Sequence, residues 1–240
     1  MPVVSGRARH LPPLKRVGHK GADLVAPGNT AASFEAALEH GVDMIEFDVL
    51  ELRDGRLVLA HDYTDGARPE VMTLDEGLDH FAGEAYAGVE LDVDLKLPGY
   101  EREVVEGLAR RGLTERSLIS THYLESIDLI GRLEPRQRRG LSVPKLKSDP
   151  TRSSWKKPFA LLIAAVARQL LPPRAARMIR AGRFEALMAH WRLVSARLVR
   201  AVHEAGGELY VWTVDDPEHI ARLSALGVDG VISNDPRLFD

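Results

Sequence analysis

The sequence predicts an α/β protein of the (β/α)₈, or TIM-barrel, fold class. Short apolar runs alternate with segments of helical periodicity, and repeated strand–helix units imply a parallel sheet. Nine strand candidates are present, but one follows its predecessor too closely for a parallel crossover, which leaves the eight strands that a barrel needs. A length of 240 residues suits one barrel domain spanning 1–240. A doubly wound open sheet is the alternative, although His19-Lys20-Gly21 is not the Gly-rich first turn of a nucleotide-binding sheet.

The first part of the chain supplies five strand candidates and three helices. The predicted strands cover residues 16–19, 43–50, 56–61, 89–95 and 117–121. The predicted helices begin at Asn29-Thr30, near Tyr100 and at Tyr123, and the first of them ends at Gly41. The Asp54-Gly55 turn is read as a two-residue hairpin loop, so the strand at 56–61 must run antiparallel to the one before it.

The second part of the chain completes the barrel after an interruption. Strands are predicted at 140–143, 184–190, 208–214 and 229–233, and helices at 195–205 and 217–226. Residues 145–183 fit no strand–helix unit and are predicted to form a helical insertion, with two helices split by Pro172-Pro173. Arg174, Arg177 and Arg180 recur every three residues and should share one helix face.

Charge is distributed unevenly along the chain. Residues 132–200 hold 17 Lys and Arg but only three acidic residues, although the formal net charge of the whole chain is -3. The basic segment either faces an anionic partner or pairs with the acidic remainder of the same protein. Few aromatic residues accompany its arginines, so a nucleic-acid partner is not expected.

Composition also limits the compartment and the chemistry. The chain has no cysteine, which excludes disulfides, thiolate metal sites and a cysteine nucleophile and fits a reducing, cytoplasmic location. The N-terminal segment is basic but is not followed by an apolar stretch, so a signal peptide is not expected. The longest apolar run, residues 159–167, is too short to span a membrane.

Two carboxylates on the second predicted strand suggest a metal site. Ile45, Phe47 and Val49 alternate with Glu46 and Asp48, so the two acids share the face opposite the apolar side chains. Two carboxylates inside a barrel near its C-terminal mouth repel each other and need a cation, whereas a solvated strand face would need none. A two-residue hairpin loop would place His61 directly opposite Asp48, and a register slip of one residue would separate them.

The strand at 89–95 repeats this alternation. Asp94 and Lys96 lie at its C-terminal end, where barrel active sites are built. A third carboxylate would complete an oxygen-rich site suited to Mg²⁺ or Ca²⁺, with Lys96 as an anion ligand. The alternative is an exposed antiparallel strand. His19 ends the first strand, and two histidines at one mouth can divide the acid and base roles.

The ordered set of motifs resembles the glycerophosphodiester phosphodiesterase family, which is similar in fold to the phosphatidylinositol phospholipase C barrels. The resemblance covers about residues 15–240 apart from the insertion. It rests on His19-Lys20-Gly21, Pro27-Gly28-Asn29-Thr30, Glu46-x-Asp48, His61-Asp62, Asp94-x-Lys96, Trp212-Thr213-Val214 and the segment from Asp229 to Ser233.

The resemblance implies a phosphodiesterase that uses a divalent cation and releases an alcohol and glycerol 3-phosphate. By position, the resemblance implies His19 and His61 as the acid/base pair and Glu46 and Asp48 as metal ligands. It implies Asp94 as a third ligand in place of a family glutamate. Lys20 and Lys96 would contact the phosphate, and Trp212 would line the cleft. Lys20 replaces a family arginine and lacks its bidentate grip. Trp212 could instead be a buried core indole.

The departures from the family pattern keep other functions open. Gly28 stands where the family has a glutamate, and an Asp-x-Lys pair also resembles the sphingomyelinase D branch. A lysophospholipase D reaction would suit the apolar and basic insertion at 145–183, which could hold an acyl chain and touch an anionic membrane surface. A non-catalytic barrel that binds phosphate-bearing ligands is the remaining alternative.

Overall fold

A ring of parallel strands surrounded by helices forms the centre of the protein. A computed structural model describes residues 13–145 and 157–239. The expectation about the N-terminal segment and the part of the insertion at 146–156 lie outside the described residues. The strands are β1 (Lys15–Gly18), β2 (Met44–Glu51), β3 (Leu57–Val58), β4 (Glu90–Leu95), β5 (Ser117–Thr121), β6 (Arg138–Val143), β7 (Ala186–His190), β8 (Glu208–Trp212) and β9 (Gly230–Ser233).

Seven α-helices connect these strands in the described residues. They are α1 (Ala31–Glu39), α2 (Leu74–Phe81), α3 (Glu101–Arg110), α4 (Leu124–Leu133), α5 (Lys157–Arg180), α6 (Ala196–His203) and α7 (Pro217–Leu226). Strand β1 pairs in parallel with both β2 and β9, which closes the sheet, while β3 pairs antiparallel with β2 and stands outside the ring. Both the predicted barrel and the identity of the surplus strand are therefore confirmed.

The period-two alternation of the strands separates the helix-facing core from the barrel interior. Ile45, Phe47 and Val49 of β2 belong to an apolar cluster that includes helix residues such as Phe34 of α1 and Leu78 of α2. A second cluster consists of strand side chains that pack against one another inside the ring, among them Val17, Met44, Leu118, Met188 and Tyr210. The inward positions above this cluster carry the polar groups of the site.

The lower, N-terminal end of the barrel interior is closed by ion pairs. Arg138 donates from Nη1 to Glu90 at 2.8 Å and from Nη2 to Glu208 at 2.5 Å, and Lys15 also contacts Glu90 at 2.5 Å. This end of the ring is therefore held by charge pairing, and Arg138 of the basic segment is neutralised by acidic residues of the same chain.

The basic segment is only partly balanced by acidic residues of the same chain. Arg139 pairs with Glu185 at 2.6 Å and Arg183 pairs with Asp128 at 2.5 Å, so part of the segment is balanced internally. In contrast, Arg174, Arg177, Arg180 and Arg200 are exposed and make no ion pair within the described part of the chain. Those four side chains remain available to an external anion.

The predicted register of the β2–β3 hairpin was wrong by one residue. Leu50 faces Val58 and Glu51 faces Leu57, and the Leu52 N–H donates to the Arg56 carbonyl at 2.8 Å. The loop therefore has three residues, with Gly55 at φ +85°, a left-handed position that glycine favours. Because of this extra residue, Asp48 does not face His61, and regular pairing ends at Val58.

In its described part, the insertion contains one long helix where two were predicted. Helix α5 runs through Pro172 and Pro173. The φ angle of proline is compatible with a helix, although each interior proline removes a backbone hydrogen bond. Packing favours continuity beyond the prolines, since Ala175 and Ile179 are buried in the same apolar cluster as Leu198 of α6.

Helix α2 was not predicted from the sequence. It begins with a capping box in which the Thr73 hydroxyl accepts from the Glu76 N–H at 3.3 Å, while the Glu76 carboxylate accepts from the Thr73 N–H at 2.8 Å. The Thr-x-x-Glu spacing is a helix-start pattern that could have revealed it.

Among all helices in the described residues, none is both long and apolar enough to cross a bilayer.

Candidate active site

Three buried carboxylates meet at the C-terminal mouth of the barrel. The ligand oxygens of Glu46, Asp48 and Asp94 lie within 4.8 Å of one another. The register of β2 with β4 sets Asp48 beside Asp94, and the strand pleat places Glu46 on the same inward face. The three residues are 4, 0 and 9 % exposed, so water cannot disperse their mutual repulsion.

The Lys96 ammonium group lies between two of these carboxylates. It contacts Asp48 Oδ1 and Asp94 Oδ2. Burial opposes a charged lysine, but the neighbouring Asp48 and Asp94 carboxylates hold the pKa of Lys96 well above its ordinary value. Burial likewise opposes ionisation of Asp48, yet Lys96 and the nearby histidines keep the pKa of Asp48 below its usual range. The site therefore contains a fixed cation and at least one fixed anion.

Two other inward carboxyls favour the protonated form. Burial, reinforced by the Asp48 charge, raises the pKa of Glu46 well above its ordinary value. Burial, reinforced by the Asp94 charge, raises the pKa of Asp92 to about 7. Asp92 pairs in register with Glu46, below Asp94, and its Oδ1 has no hydrogen-bond partner in the described residues. The site holds more acidic groups than its fixed cation can neutralise.

The donor set fits a divalent cation. Oxygen ligands of this kind suit Mg²⁺ or Ca²⁺. Asp48 Oδ1 is buried, touches the Lys96 ammonium as an ion pair and accepts no well-aligned hydrogen bond from the described residues. A second group that could hold a metal ion, formed by His61, Asp62 and Asp65, lies at a largely exposed position. Burial therefore distinguishes the Glu46, Asp48 and Asp94 group.

His19 is held at the mouth in one tautomer. The Asn234 amide donates from Nδ2 to Asp215 at 2.7 Å, so its Oδ1 faces His19 Nδ1 at 2.5 Å. His19 Nδ1 must then carry the proton, which leaves the Nε2 lone pair free. Nε2 lies 3.8 Å from Glu46 Oε2. Burial lowers the pKa of His19, so its neutral form is favoured.

The loop between β1 and α1 wraps around the carboxylates. Lys20 and Asn29 adopt left-handed φ angles of 50° and 60°. The Lys20 N–H donates to Glu46 Oε2 at 2.8 Å. Asn29 donates from Nδ2 to Asp48 Oδ2 at 2.8 Å, and its Oδ1 accepts the Asp48 N–H at 3.1 Å. Asn29, which was quoted only as part of a motif, thus orients one of the central carboxylates.

His61 and Trp212 occupy less central positions than the three carboxylates. His61 is exposed, lies 3.7 Å from the Asp62 carboxylate and is outside the buried carboxylate group, although its charge helps to lower the pKa of Asp48. Trp212 is partly buried, and its indole N–H donates to the Met188 carbonyl at 3.0 Å. The N–H edge of the Trp212 indole is therefore hydrogen-bonded to strand β7.

Two further histidines lie near the same mouth and were missed. The ring of His190, at the end of β7, meets Trp212 edge-on at 5.1 Å, and the His122 ring, just after β5, lies 6.3 Å from it. His122 Nδ1 also hydrogen-bonds the Ser142 carbonyl at 2.8 Å. Their sequence positions at the C-terminal ends of predicted strands were the available signal.

A pocket of about 440 Å³ opens beside the β1–α1 loop. Its lining residues come from the β1–α1 loop and from the segment after β3, and include Lys20, Asp23, Gly28, Asn29, Leu59 and Arg68. The volume falls in the range of small-molecule sites. Lys20 and Asn29 line it and also hydrogen-bond Glu46 and Asp48, so the pocket adjoins the residues that support the carboxylates.

Comparison with known sequences decides the family. The sequence model of the glycerophosphoryl diester phosphodiesterase family matches residues 19–78 and 63–238. The chain belongs to this family. A glycerophosphodiester phosphodiesterase of Caldanaerobacter subterraneus is 27% identical over 92% of this chain and 93% of its own length. The glycerophosphodiester phosphodiesterase GDPD4 of Arabidopsis thaliana is 25% identical over 96% of this chain and 73% of its own.

Solved structures show the same fold. A glycerophosphodiester phosphodiesterase from Parabacteroides distasonis superposes with a TM-score of 0.71 at 20% identity, covering 93% of this chain and 94% of the other. A phosphodiesterase from Oleispira antarctica, in complex with the product sn-glycerol-3-phosphate, gives 0.68 at 21% identity, covering 95% and 94%. These similarities confirm the barrel independently of the family match.

Proposed function

We propose that this protein hydrolyses glycerophosphodiesters to an alcohol and glycerol 3-phosphate, with a divalent cation held by Glu46, Asp48 and Asp94. Its family is one of phosphoric diester hydrolases, and the similar Oleispira structure carries glycerol 3-phosphate as product. The observation that carries the proposal is the buried group of three carboxylates at the barrel mouth, with Lys96 inside it and His19 beside it.

Charge stabilisation is assigned to the cation site and the two lysines. A bound Mg²⁺ or Ca²⁺ supplies Lewis-acid polarisation of a phosphoryl oxygen. Lys20 and Lys96 present ammonium groups near the same carboxylates, and both pKa values are raised despite burial, by Asp23 for Lys20 and by Asp48 for Lys96, so both stay charged. Fixed cations stabilise the charge that builds on the phosphoryl oxygens in the transition state.

Proton transfer is assigned to His19 and His61. Neutral His19, with its free Nε2 directed towards the carboxylate group, accepts the proton of the attacking hydroxyl. His61, which is exposed, donates a proton to the leaving alkoxide. The attacking hydroxyl belongs to water or to the adjacent glycerol hydroxyl, which would give a cyclic phosphate first.

The test is release of glycerol 3-phosphate from glycerophosphocholine, with Mg²⁺ or Ca²⁺ present and then with EDTA. We expect activity that EDTA abolishes and that His19→Ala lowers by at least about a hundredfold, as for loss of a general base. The matched control is His203→Gln, because His203 pairs with Asp229 at the opposite end of the barrel. A folded wild type without activity on glycerophosphocholine, lysophospholipids or other diesters would favour the non-catalytic barrel.

A second proposal concerns lipid substrates and a peripheral membrane contact through α5. Arg168 donates to the Val194 carbonyl at 3.0 Å and Arg197 donates to Gln169 at 2.6 Å, so α5 passes the start of α6 at these residues. The eleven helical residues before Arg168 extend the helix by about 16 Å beyond these contacts. Val166 and Leu170 are 49 and 53 % exposed on this part of the helix.

Exposed apolar side chains on the same helix as the exposed Arg174, Arg177 and Arg180 are suited to an anionic bilayer surface. Sedimentation with vesicles containing anionic lipid should show binding that high salt weakens, and Leu170→Lys should reduce it. The matched control is Leu226→Lys, because Leu226 is 42 % exposed at the far end of α7. Equal, negligible binding to vesicles at low and high salt would rule out the membrane contact. Any lysophospholipid substrate would then have to reach the site from solution.

A further inference from the structure

Asp23 makes two contacts that join the ends of the β1–α1 loop. Its Oδ2 accepts from the Lys20 ammonium at 3.0 Å, and its Oδ1 accepts from the Gly28 N–H at 2.9 Å. The next residue, Asn29, holds Asp48 through two hydrogen bonds. One carboxylate therefore connects the lysine assigned to phosphate with the segment that orients a central carboxylate.

Gly28 leaves room for this carboxylate. A Cβ at position 28 would lie 2.5 Å from Asp23 Oδ1 and 2.9 Å from the Lys20 Cβ, closer than such atoms approach in proteins. Any other residue would force the Asp23 carboxylate or the Lys20 backbone to move. The glycine at 28 and the lysine at 20, two of the three departures noted in the sequence, are thus in contact with the same side chain.

We infer that Asp23 is a positioning residue that holds the Lys20 ammonium for the substrate phosphate, and that Gly28 is required because it admits the Asp23 carboxylate. Lysine is a flexible point charge and lacks the planar fork with which arginine grips a phosphate. A fixed carboxylate restricts that flexibility, and two of the three ammonium hydrogens remain for a phosphate oxygen. Asp23 was absent from the residues singled out by sequence.

This inference rests on the proposed function only for the identity of the anion that Lys20 meets. The position of the pocket supports it, because Lys20, Asp23 and Gly28 all line the same cavity. Asp23 is partly buried, and the side chain of Lys20 is 19 % exposed, so the pair is shielded but open towards the pocket. Salt screens a partly shielded ion pair of this kind less than it screens an exposed pair.

The first test is a double-mutant cycle on the inhibition constant of glycerol 3-phosphate and on kcat/KM, with Asp23→Asn, Lys20→Met and the double variant. We expect Asp23→Asn to weaken both about tenfold, the effect of losing one charge-assisted hydrogen bond. In the Lys20→Met background the same change should cost less than about twofold, because Asp23 acts through Lys20. Additive losses would overturn the inference and leave Asp23 as a loop support.

The second test needs no activity. Lysine acylation followed by peptide mass spectrometry should show Lys20 labelled several-fold faster in Asp23→Asn and in Gly28→Ala than in wild type, while Lys15, paired with Glu90, is unchanged in every variant. The matched control is Asp128→Asn, which removes the ion pair to Arg183 elsewhere in the barrel and should leave Lys20 labelling as in wild type.

The two tests separate the possible failures. Faster Lys20 labelling in a protein whose wild type does not hydrolyse diesters would refute the proposed function and retain the positioning role. Unchanged Lys20 labelling in a folded Asp23→Asn variant would refute the positioning role whether or not the wild type is active.

Discussion

Asp92→Asn should stabilise the protein, by an amount that grows with pH. Asp92 is buried inside the barrel, its Oδ1 has no hydrogen-bond partner in the described residues, and burial together with Asp94 raises its pKa to about 7. The folded protein therefore keeps the Asp92 proton at pH values where the unfolded chain, with a pKa of 3.8, has released it. Asparagine is uncharged at every pH and should avoid this coupling.

The sign and the size follow from proton linkage. Between pH 3.8 and about 7 the folded state binds more protons than the unfolded state, so the wild-type free energy of unfolding falls as pH rises. One pKa step corresponds to about 1.4 kcal/mol, so the loss from Asp92 between about pH 5 and pH 8 is about 3 kcal/mol. Above about pH 7 the carboxyl is ionised in both states and the loss is complete.

The assay is urea unfolding of wild type and Asp92→Asn at about pH 5 and pH 8, with EDTA present in every sample. The stability difference between variant and wild type should increase by about 3 kcal/mol over this interval. The matched control is Asp54→Asn, an exposed carboxylate on the hairpin loop, which should not show this increase. A difference between Asp92→Asn and wild type that is the same at both pH values would refute the reasoning.

Three other substitutions test the site. Asn29→Ala removes both side-chain contacts to Asp48 and should lower kcat/KM by about tenfold or more in steady-state assays; unchanged kinetics would show that Asp48 needs no such support. Lys96→Gln removes the ammonium from between two carboxylates, so added Ca²⁺ or Mg²⁺ should raise the thermal midpoint more than in wild type, and an equal rise would contradict this. Trp212→Phe should raise KM at constant kcat, whereas a lower thermal midpoint alone would make Trp212 a core residue.

The alternation of side chains along the strands was readable in the sequence. In an extended chain successive side chains point to opposite faces, so the apolar Ile45, Phe47 and Val49 separate from Glu46 and Asp48 whatever the rest of the chain does. The same rule, with C-terminal strand ends as the barrel mouth, brought Asp94 to the same cluster. These features depend on neighbours within a few residues.

Contacts between distant segments were not readable. His19 and Asn234 are 215 positions apart, and the hydrogen bond that sets the tautomer exists only because β9 closes against β1. The position of His61 depends on one extra residue in a hairpin loop, which shifts every later pair. The continuity of α5 through Pro172 and Pro173 was likewise not readable, because the second half of the helix packs against α6, which is distant in sequence.

Sequence by itself thus determined the barrel, the inward face that carries the carboxylates and the family resemblance. Tertiary structure decided which groups meet there: Lys96 between Asp48 and Asp94, and Asp23 between Lys20 and Gly28. The physical reason is the separation along the chain of the residues that each feature depends on. Strand and helix periodicity follow from the backbone geometry of each segment, whereas contacts at the mouth depend on loop lengths and on barrel closure, which sum small displacements over the whole chain.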